Sequence, residues 1–313
     1  MSLSRLIFMG TPHFACPSLK VLLEKGEEVL SVYTQPDRPK GRGKKPLPPP
    51  VKVLALSHGL PVFQPLSLKD RQVQQGLAEQ KPDLLVVVAY GLILPPAVLD
   101  IPSWGAVNVH ASLLPKYRGA APIPWAILNG EKETGVTTMR LDAGMDTGDI
   151  LLQEKEPIGE GDTTQDLHDR LSRKGAFLLL ETLRRLRGGE LVPLPQDHSR
   201  ASYARPLTKA DGEIRWDLSA EEIERRIRAL TPWPGAYTFS QGRRLLIHRA
   251  AKGPEGADRT PGTVISLAGG RPQVQTGKGL LIILEAQWEG HKRLPAEELV
   301  RGQSFYVGQP LGR

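Results

Sequence analysis

Asn108 and His110 stand two positions apart at the end of a short strand signal over residues 105–110. Because strand side chains alternate between two faces, an amide and an imidazole at this spacing point the same way. Both can donate to one carbonyl oxygen, as in an oxyanion hole, and histidine can transfer a proton near neutral pH. A satisfied, buried polar pair is the alternative, but the following Leu-Leu-Pro turn and Arg118-Gly119 favour a pocket.

Three carboxylates, Asp142, Asp146 and Asp149, share a short glycine-bearing segment over residues 142–149. They could act as acid/base groups or metal ligands, or they could cap turns, which is the usual role of aspartate in loops. The spacing differs from that of calcium loops, and no HExxH motif or Cys/His cluster occurs. We therefore expect no metal. Ser112 lacks the G-x-S-x-G context of a serine hydrolase.

A basic segment follows the second strand signal, with two glycines, two prolines and one acidic residue over residues 35–45. Its cations are Arg38, Lys40, Arg42, Lys44 and Lys45. A solvated surface loop is one interpretation. The other, which we favour because like charges repel each other without a polyanion, is a clamp on a nucleic-acid backbone.

The whole chain is basic, with 41 Lys+Arg against 34 Asp+Glu and a net charge of +7. This balance favours a polyanionic partner, with nucleic acid first. A single cysteine, Cys16, excludes a disulfide framework and a cysteine-based zinc site. No apolar run approaches the ~20 residues that span a bilayer, and no signal-peptide core is present. We expect a cytoplasmic protein that does not bind membranes.

Alternating strand and helix signals in the first half predict an α/β fold with an open, mostly parallel, Rossmann-like sheet. The strand signals are residues 6–9, 29–33, 84–89 and 105–110, and the helix signals are residues 17–23, 51–56 and 123–128. Ligands of such sheets bind beyond the carboxyl ends of the strands.

A long helix is expected after Thr163 and Asp166, which look like an N-cap pair, and Gly188-Gly189 should end it. The second half then changes character, since a helix at 220–230 precedes five short strand signals with glycine-rich turns. These strands are residues 236–239, 244–249, 263–266, 273–276 and 280–287. They predict a smaller β-barrel resembling an oligonucleotide-binding fold. The predicted organisation is an N-terminal domain over 1–189, a linker over 190–207 and a smaller C-terminal domain over 208–313.

A family resemblance is carried by residues 108–119, 121–130 and 135–149, which resemble the folate-dependent formyltransferases. That family uses an asparagine, a histidine and an aspartate, which match Asn108, His110 and Asp146. Residues 9–12, 35–38, 86–95 and 205–212 resemble the members that act on methionyl-initiator-tRNA. The resemblance covers nearly the whole chain.

The resemblance implies formyl transfer from 10-formyltetrahydrofolate to the α-amine of methionyl-initiator-tRNA, for translation initiation, by a protein we expect to be monomeric. It implies a folate site at Ser112, Leu113, Leu114 and Pro115, and we expect the adjoining wall at Ala89, Tyr90, Gly91, Leu92 and Ile93. The basic segment would reach the acceptor end of the tRNA. The alternatives are a folate-dependent formyltransferase that acts on another amine, such as an amino-sugar nucleotide, and a non-catalytic RNA-binding protein. Folate binding separates the last of these from the others.

Overall fold

The structure is a computed structural model that describes residues 5–39, 46–256 and 258–312. Packing divides the chain into two units. The first contains the chain up to Pro122 together with Glu133–Pro157 and His168–Ala204, and the second contains Ile123–Lys132, Ile158–Leu167 and the chain from Arg205 onward. The domain boundaries expected from the sequence, at residues 189 and 208, stay a prediction, and the packing division falls between Ala204 and Arg205.

The first unit is built on a seven-stranded sheet in the order β5-β2-β1-β6-β7-β8-β9. These strands are β1 (Leu6–Gly10), β2 (Val29–Tyr33), β5 (Val62–Phe63), β6 (Leu84–Val88), β7 (Ala106–His110), β8 (Glu133–Arg140) and β9 (Ile150–Pro157), and a separate short pair joins β3 (Arg38–Pro39) to β4 (Pro46–Leu47). The five neighbouring strands β5, β2, β1, β6 and β7 are parallel to one another. β8 is antiparallel to β7, and β9 is antiparallel to β8. The mostly parallel, Rossmann-like sheet is therefore confirmed.

Five helices lie between these strands along the chain and a sixth follows β9: α1 (Cys16–Glu24), α2 (Pro50–Ser57), α3 (Arg71–Glu79), α4 (Pro96–Leu99), α5 (Pro122–Leu128) and α6 (Thr164–Gly188). β1 and β6 are buried along their whole length, as expected of parallel strands covered on both faces. Gly175 of α6 allows a close approach to β7, because a Cβ there would lie 2.7 Å from Cγ1 of Val109. α6 ends at Gly188, as the Gly188-Gly189 pair predicts.

The expected cap of α6 is present at its N-terminus. The Asp166 carboxylate accepts hydrogen bonds from the Thr163 N–H and hydroxyl at 2.9 and 2.6 Å, and the Asp166 N–H donates back to the Thr163 hydroxyl at 3.3 Å. This reciprocal arrangement satisfies donors that a helix start otherwise leaves unpaired.

The second unit contains an antiparallel sheet in the order β10-β11-β14-β13-β12, with β15 paired to β14. The elements are α7 (Ala220–Ala229), β10 (Ala236–Ser240), β11 (Arg243–Lys252), β12 (Val264–Ser266), β13 (Gln273–Gln275), β14 (Leu280–Trp288), β15 (Leu294–Pro295) and α8 (Ala296–Arg301). Short 3-10 turns occur in the first unit at His13–Ala15 and His198–Arg200, and in the second unit at Lys209–Gly212 and Ala268–Gly270. The five predicted strands are all present, with ends shifted by at most a few residues.

The C-terminal segment joins the two edge strands of this sheet. The Val264 N–H of β12 donates to the Gln309 carbonyl at 2.9 Å, and the Gly312 N–H donates to the Phe239 carbonyl of β10 at 2.8 Å. Neither edge is therefore left open to pair with another chain. The result is a barrel-like enclosure around an apolar core that includes Trp216 and Trp288.

Candidate active site

β7 carries Asn108 and His110 on one face of the sheet, where they are 8% and 6% exposed. Asn108 lies opposite Val87 of the parallel neighbour β6, so Ala89, two residues further along, lies at the level of His110. The amide and the imidazole thus stand at the carboxyl edge of the sheet, where ligands of this architecture bind.

His110 is held by a backbone carbonyl on one side of its ring. Its Nε2 atom lies 2.9 Å from the carbonyl oxygen of Tyr117. A carbonyl oxygen can only accept, so Nε2 carries the hydrogen of this bond. The Nδ1 atom then faces Asp146, whose Oδ2 lies 3.7 Å away. In neutral His110 that Nδ1 atom holds a lone pair.

The side-chain amide of Asn108 has a different environment. No hydrogen bond joins it to another residue within the described part of the chain, although Asn108 is largely buried. Its amide atoms are not among the fully buried polar atoms that lack a partner in the described chain, so the amide reaches solvent. Its two N–H donors are therefore available to an oxygen placed at the carboxyl edge of β7.

Asp146 differs from the two other aspartates of its loop. It adopts a left-handed backbone conformation with φ of +53°, which Asp tolerates better than most residues. Its Oδ2 accepts the Gly119 N–H at 2.8 Å. Asp142 instead accepts from the Gly144 N–H at 3.0 Å and the Thr147 hydroxyl at 2.7 Å, within the loop itself. Asp149 contributes its carbonyl to the Arg140 N–H at 2.9 Å. Only Asp146 approaches His110.

A buried pair that the sequence analysis did not assign lies behind this loop. The Arg118 guanidinium, 1% exposed, donates from Nε and Nη2 to Oε1 of Gln196 at 3.1 and 2.6 Å. The Gln196 Nε2 atom donates to the carbonyls of Asp146 and Gly148 at 2.9 and 2.7 Å. Arg118 follows the Leu-Leu-Pro turn that the sequence analysis assigned to a pocket, so its position could be predicted from the sequence. No local pattern around Gln196 indicates a role for that residue.

The loop at 112–115 is fixed by polar groups of β8 and β9. The Thr137 hydroxyl donates to the Ser112 carbonyl at 2.6 Å, and the Gln153 amide donates to the Leu114 carbonyl at 2.9 Å. The Ser112 hydroxyl is itself engaged with the Lys116 carbonyl at 2.6 Å. Leu114 packs into a small apolar cluster. The serine hydroxyl and the Ser112 and Leu114 carbonyls are therefore all engaged within the protein.

The segment at 89–93 leaves β6 in an unusual conformation, with positive φ at Ala89 (+46°) and Gly91 (+86°). The Thr11 hydroxyl donates to the Tyr90 carbonyl at 2.8 Å and fixes the segment to the end of β1. Tyr90 is buried, and burial raises the pKa of its phenol well above the ordinary value. Leu92 packs against the same apolar cluster as Tyr90, whereas Ile93 is 84% exposed.

A cavity of about 1420 Å³ lies within the first unit at the carboxyl ends of β1, β2 and β6. Ala89, Tyr90 and Gly91 line it, together with a proline-rich wall formed by residues before and after the basic segment. Its charged lining includes three cations, Lys20, Arg38 and Arg173, and one carboxylate, Asp169. The excess of cations makes this cavity suited to an anionic ligand.

The basic segment is anchored at both ends. Arg38 pairs with Leu47 and Pro39 pairs with Pro46 across the short β3–β4 ladder. The Arg38 guanidinium donates to the Gln35 side chain. Lys40, Arg42, Lys44 and Lys45 lie outside the described residues, so their proposed contact with nucleic acid stays a prediction.

Two absences apply to the described ranges, 5–39, 46–256 and 258–312. Within them no group of three or more His, Cys, Asp or Glu side chains could hold a metal ion. No helix in the same ranges is long and apolar enough to cross a bilayer.

Comparison with known proteins gives matches along the whole chain. The family model for formyl transferase matches residues 4–183, and the model for the formyl transferase C-terminal domain matches residues 206–304. Methionyl-tRNA formyltransferase of Citrifermentans bemidjiense is 51% identical over 309 residues, covering 99% of this chain and 96% of the relative. The relative from Geotalea uraniireducens, with the same name, is also 51% identical over 309 residues, covering 99% of this chain and 98% of the relative.

Solved structures show the same fold at lower identity. WlaRD, a sugar 3N-formyl transferase crystallised with dTDP and 5-N-formyl-THF, gives a TM-score of 0.67 at 20% identity, over 93% of this chain and 100% of that one. HypX from Aquifex aeolicus in complex with tetrahydrofolic acid gives 0.64 at 19% identity. That match covers 96% of this chain, which spans about half of HypX (47%).

Proposed function

The chain belongs to the formyl transferase family, and from that premise we propose that it formylates the α-amine of methionyl-initiator-tRNA with 10-formyltetrahydrofolate. The observation that carries this proposal is the 51% identity to methionyl-tRNA formyltransferases over nearly the full chain. A cytoplasmic location fits a product used in translation initiation.

The acceptor amine needs little activation. An α-amino group has a pKa of about 7.7–8.0, so a useful fraction is neutral at pH 7. Its nitrogen attacks the formyl carbon, and negative charge builds on the formyl oxygen. The enzyme must stabilise that charge, remove a proton from the amine nitrogen and return one to the departing folate nitrogen.

Asn108 is the donor that we assign to the formyl oxygen, because its amide lies at the strand end with no partner among the described residues. One such donor typically contributes about 2.7–4 kcal/mol to transition-state stabilisation. His110 adds a second donor only when Nδ1 is protonated, since its Nε2–H is engaged with Tyr117.

The proton transfer is assigned to His110 and Asp146. The Nδ1 lone pair of neutral His110 accepts the amine proton, and the resulting imidazolium donates a proton to the folate nitrogen as the C–N bond breaks. Asp146, with Oδ2 at 3.7 Å from Nδ1, stabilises that imidazolium electrostatically. The aspartate of a hydrolytic triad also stabilises an imidazolium, but it binds the ring nitrogen opposite the base, whereas Asp146 faces the same Nδ1 atom that acts as base.

The folate site is proposed at the two loops that leave β6 and β7. Both lie at the carboxyl edge of adjacent strands, and the register places Ala89 at the level of His110. Residues 91–93 form no backbone hydrogen bond with the rest of the described chain. A pterin ring carries amide-like donors and acceptors, which exposed backbone groups can bind. The fixed loop at 112–115 would form the opposite wall.

The tRNA contacts are proposed at the basic segment and in the second domain. Arg38 and Leu47, which pair with each other in the β3–β4 ladder, line the large cation-rich cavity. Lys40, Arg42, Lys44 and Lys45 would bind the phosphates or bases of the acceptor end. The net charge of +7 supports a polyanionic substrate.

The experiment is transfer of labelled formyl from 10-formyltetrahydrofolate to methionyl-initiator-tRNA, with an amino-sugar nucleotide as the control acceptor. We expect labelled methionyl-tRNA and no labelled sugar nucleotide. Transfer to the sugar nucleotide alone would support the alternative acceptor, and absence of folate binding would support a non-catalytic RNA-binding protein.

A further inference from the structure

We propose that Arg118 and Gln196 are positioning residues that hold the Asp146 loop against His110; the expected effect on turnover rests on the proposed function. Both side chains are buried, at 1% and 6% exposed. Arg118 donates twice to Gln196, and Gln196 donates twice to backbone carbonyls of the loop.

The sheet alone does not bring Asp146 to His110. β8 ends at Arg140, which pairs with Val107, three residues before His110 on β7. β8 has by then passed the level of His110, which pairs with Thr137, so at about 3.3 Å per residue the loop leaves the sheet roughly 10 Å beyond the histidine. β9 begins at Ile150, which pairs with Met139 at the level of Asn108 and so does not return to the level of His110 before the loop ends. The loop must therefore fold back, and contacts outside the sheet must hold it there.

Those contacts converge on Arg118. The carbonyl before it, of Tyr117, accepts from His110, and the N–H after it, of Gly119, donates to Asp146. Its side chain reaches the loop backbone through Gln196. Three consecutive residues thus hold the histidine ring, the carboxylate and, through Gln196, the loop that carries the carboxylate.

The backbone at Asp146 needs such a restraint. Its φ of +53° lies in the left-handed region, which is sparsely populated by residues other than glycine. The Gln196 Nε2 donor binds the carbonyl of that same residue at 2.9 Å. Two guanidinium donors on Oε1 fix the orientation of the amide, so that Nε2 points at the loop.

The charge on Arg118 also argues against a purely structural role. No carboxylate forms an ion pair with it within the part of the chain that the structure describes. A buried cation without a counter-ion costs free energy that a neutral side chain would avoid. The role of Arg118 in orienting Gln196 would account for a buried cation at this position despite that cost.

The first test is kinetic and uses Gln196→Met, which keeps the size and removes the donors. We expect kcat to fall about 10²-fold, as a displacement of about 1 Å can do, with the KM values for both substrates nearly unchanged. Gln80→Met is the matched control, because Gln80 binds Ser31, Tyr33 and Gly76 and touches no site residue. Combined with Asp146→Asn, Gln196→Met should cost little further, because both act through one carboxylate. Additive losses, or full turnover in the single variant, would overturn the proposal.

The second test needs no substrate and so separates this proposal from the proposed function. Hydrogen exchange of the Gly119 amide, measured by NMR in the free protein, reports its bond to Asp146. We expect protection to fall at least tenfold in Gln196→Met and to stay unchanged in Gln80→Met. If Gln196→Met does not fold, Arg118→Lys replaces it, since lysine keeps the charge and loses the fork. Unchanged Gly119 protection in the folded variant would overturn the proposal whatever the acceptor is.

Discussion

Oδ2 of Asp146 lies 3.7 Å from Nδ1 of His110 because the two residues are tied to the same turn. Tyr117 accepts from His110, and Gly119 donates to Asp146. The distance between the His110 and Asp146 side chains therefore depends on the turn at residues 117–119 more than on the register of the sheet. Substitutions in this turn should alter activity although the substituted residues contact no substrate.

The oxyanion assignment is tested at Asn108 and His110. Asn108→Ala and His110→Ala should each lower turnover about 10²–10³-fold, because each removes a donor or proton carrier needed in the transition state. Folate affinity, measured by titration, should change little. His58→Ala, at the exposed C-cap of α2, is the control for losing a histidine. Near-normal turnover in both site variants would refute the assignment.

The carboxylate assignment is tested by three matched substitutions. Asp146→Asn should be nearly inactive yet folded, since it keeps the shape and removes the charge beside His110. Asp142→Asn and Asp149→Asn should be milder, because Asp142 binds only its own loop. Equal loss in all three variants would instead indicate a general role of the loop.

The turn itself is tested at Gly119. Its φ is +105°, and a Cβ there would lie 3.0 Å from the Ala204 carbonyl oxygen. Gly119→Ala should therefore shift the turn and lower kcat more than tenfold, besides a backbone strain of about 1–2 kcal/mol. Gly105→Ala is a matched control, since its φ is +77° and nothing lies within 4 Å of the added carbon. If the two variants lose equal activity, strain alone explains the effect.

The basic segment is tested by its salt dependence. Neutralising Lys40, Lys44 and Lys45 should make the slope of log affinity for tRNA against log salt shallower, by up to about 0.9 per lost phosphate contact. Arg42→Ala should lower kcat/KM on methionyl-tRNA and leave folate affinity unchanged, because a guanidinium can bind a phosphate or base edge in a fork. An unchanged slope together with full activity of Arg42→Ala would make this a solvated loop without a role in recognition.

A stability prediction concerns Asp211 in the second unit. The Arg205 guanidinium, and then the Thr208 groups, hold the pKa of this carboxyl well below its usual range. The stabilisation is therefore complete above the ordinary carboxyl pKa of about 3.9 and is lost as the pH falls toward the lower folded value. Asp211→Asn should destabilise by about 1 kcal/mol at pH 7, because solvent screens the half-exposed Arg205, and its difference from wild type in thermal unfolding should shrink below about pH 4.

Asp217→Asn provides the control for that prediction. Asp217 pairs with Arg215 on the surface, where both side chains are more than half exposed. Exposed pairs contribute little to stability because solvent screens them, so the variant should unfold close to wild type at every pH. An Asp211→Asn variant as stable as wild type at pH 7 would contradict the account.

Local residue patterns made most of the fold predictable. The all-apolar run of β6, the N-cap of α6 and the five short strands of the second unit each follow from local residue patterns. The strands β8 and β9 were not predicted from the sequence. β8 buries threonines in place of apolar residues, and the edge strand β9 is charged along its middle, so neither has the apolar pattern of a strand. Charged edge strands are common in natural sheets.

The site was predictable in its residue types but not in its supports. The spacing of Asn108 and His110 on one strand indicates both residues, and the family resemblance indicates Asp146. Gln196 falls in a proline-rich stretch without periodicity, and only tertiary contacts bring it to the Asp146 loop. The tautomer of His110 likewise depends on a carbonyl whose position no local pattern specifies.

The most direct measurement is a competition in one reaction that contains labelled 10-formyltetrahydrofolate, methionyl-initiator-tRNA, methionyl-elongator-tRNA and an amino-sugar nucleotide. The account predicts label on the initiator methionyl-tRNA, with at most a small fraction on the other acceptors, and nearly none with Asp146→Asn. Label on the sugar nucleotide instead of on tRNA, or equal transfer by Asp146→Asn, would contradict it.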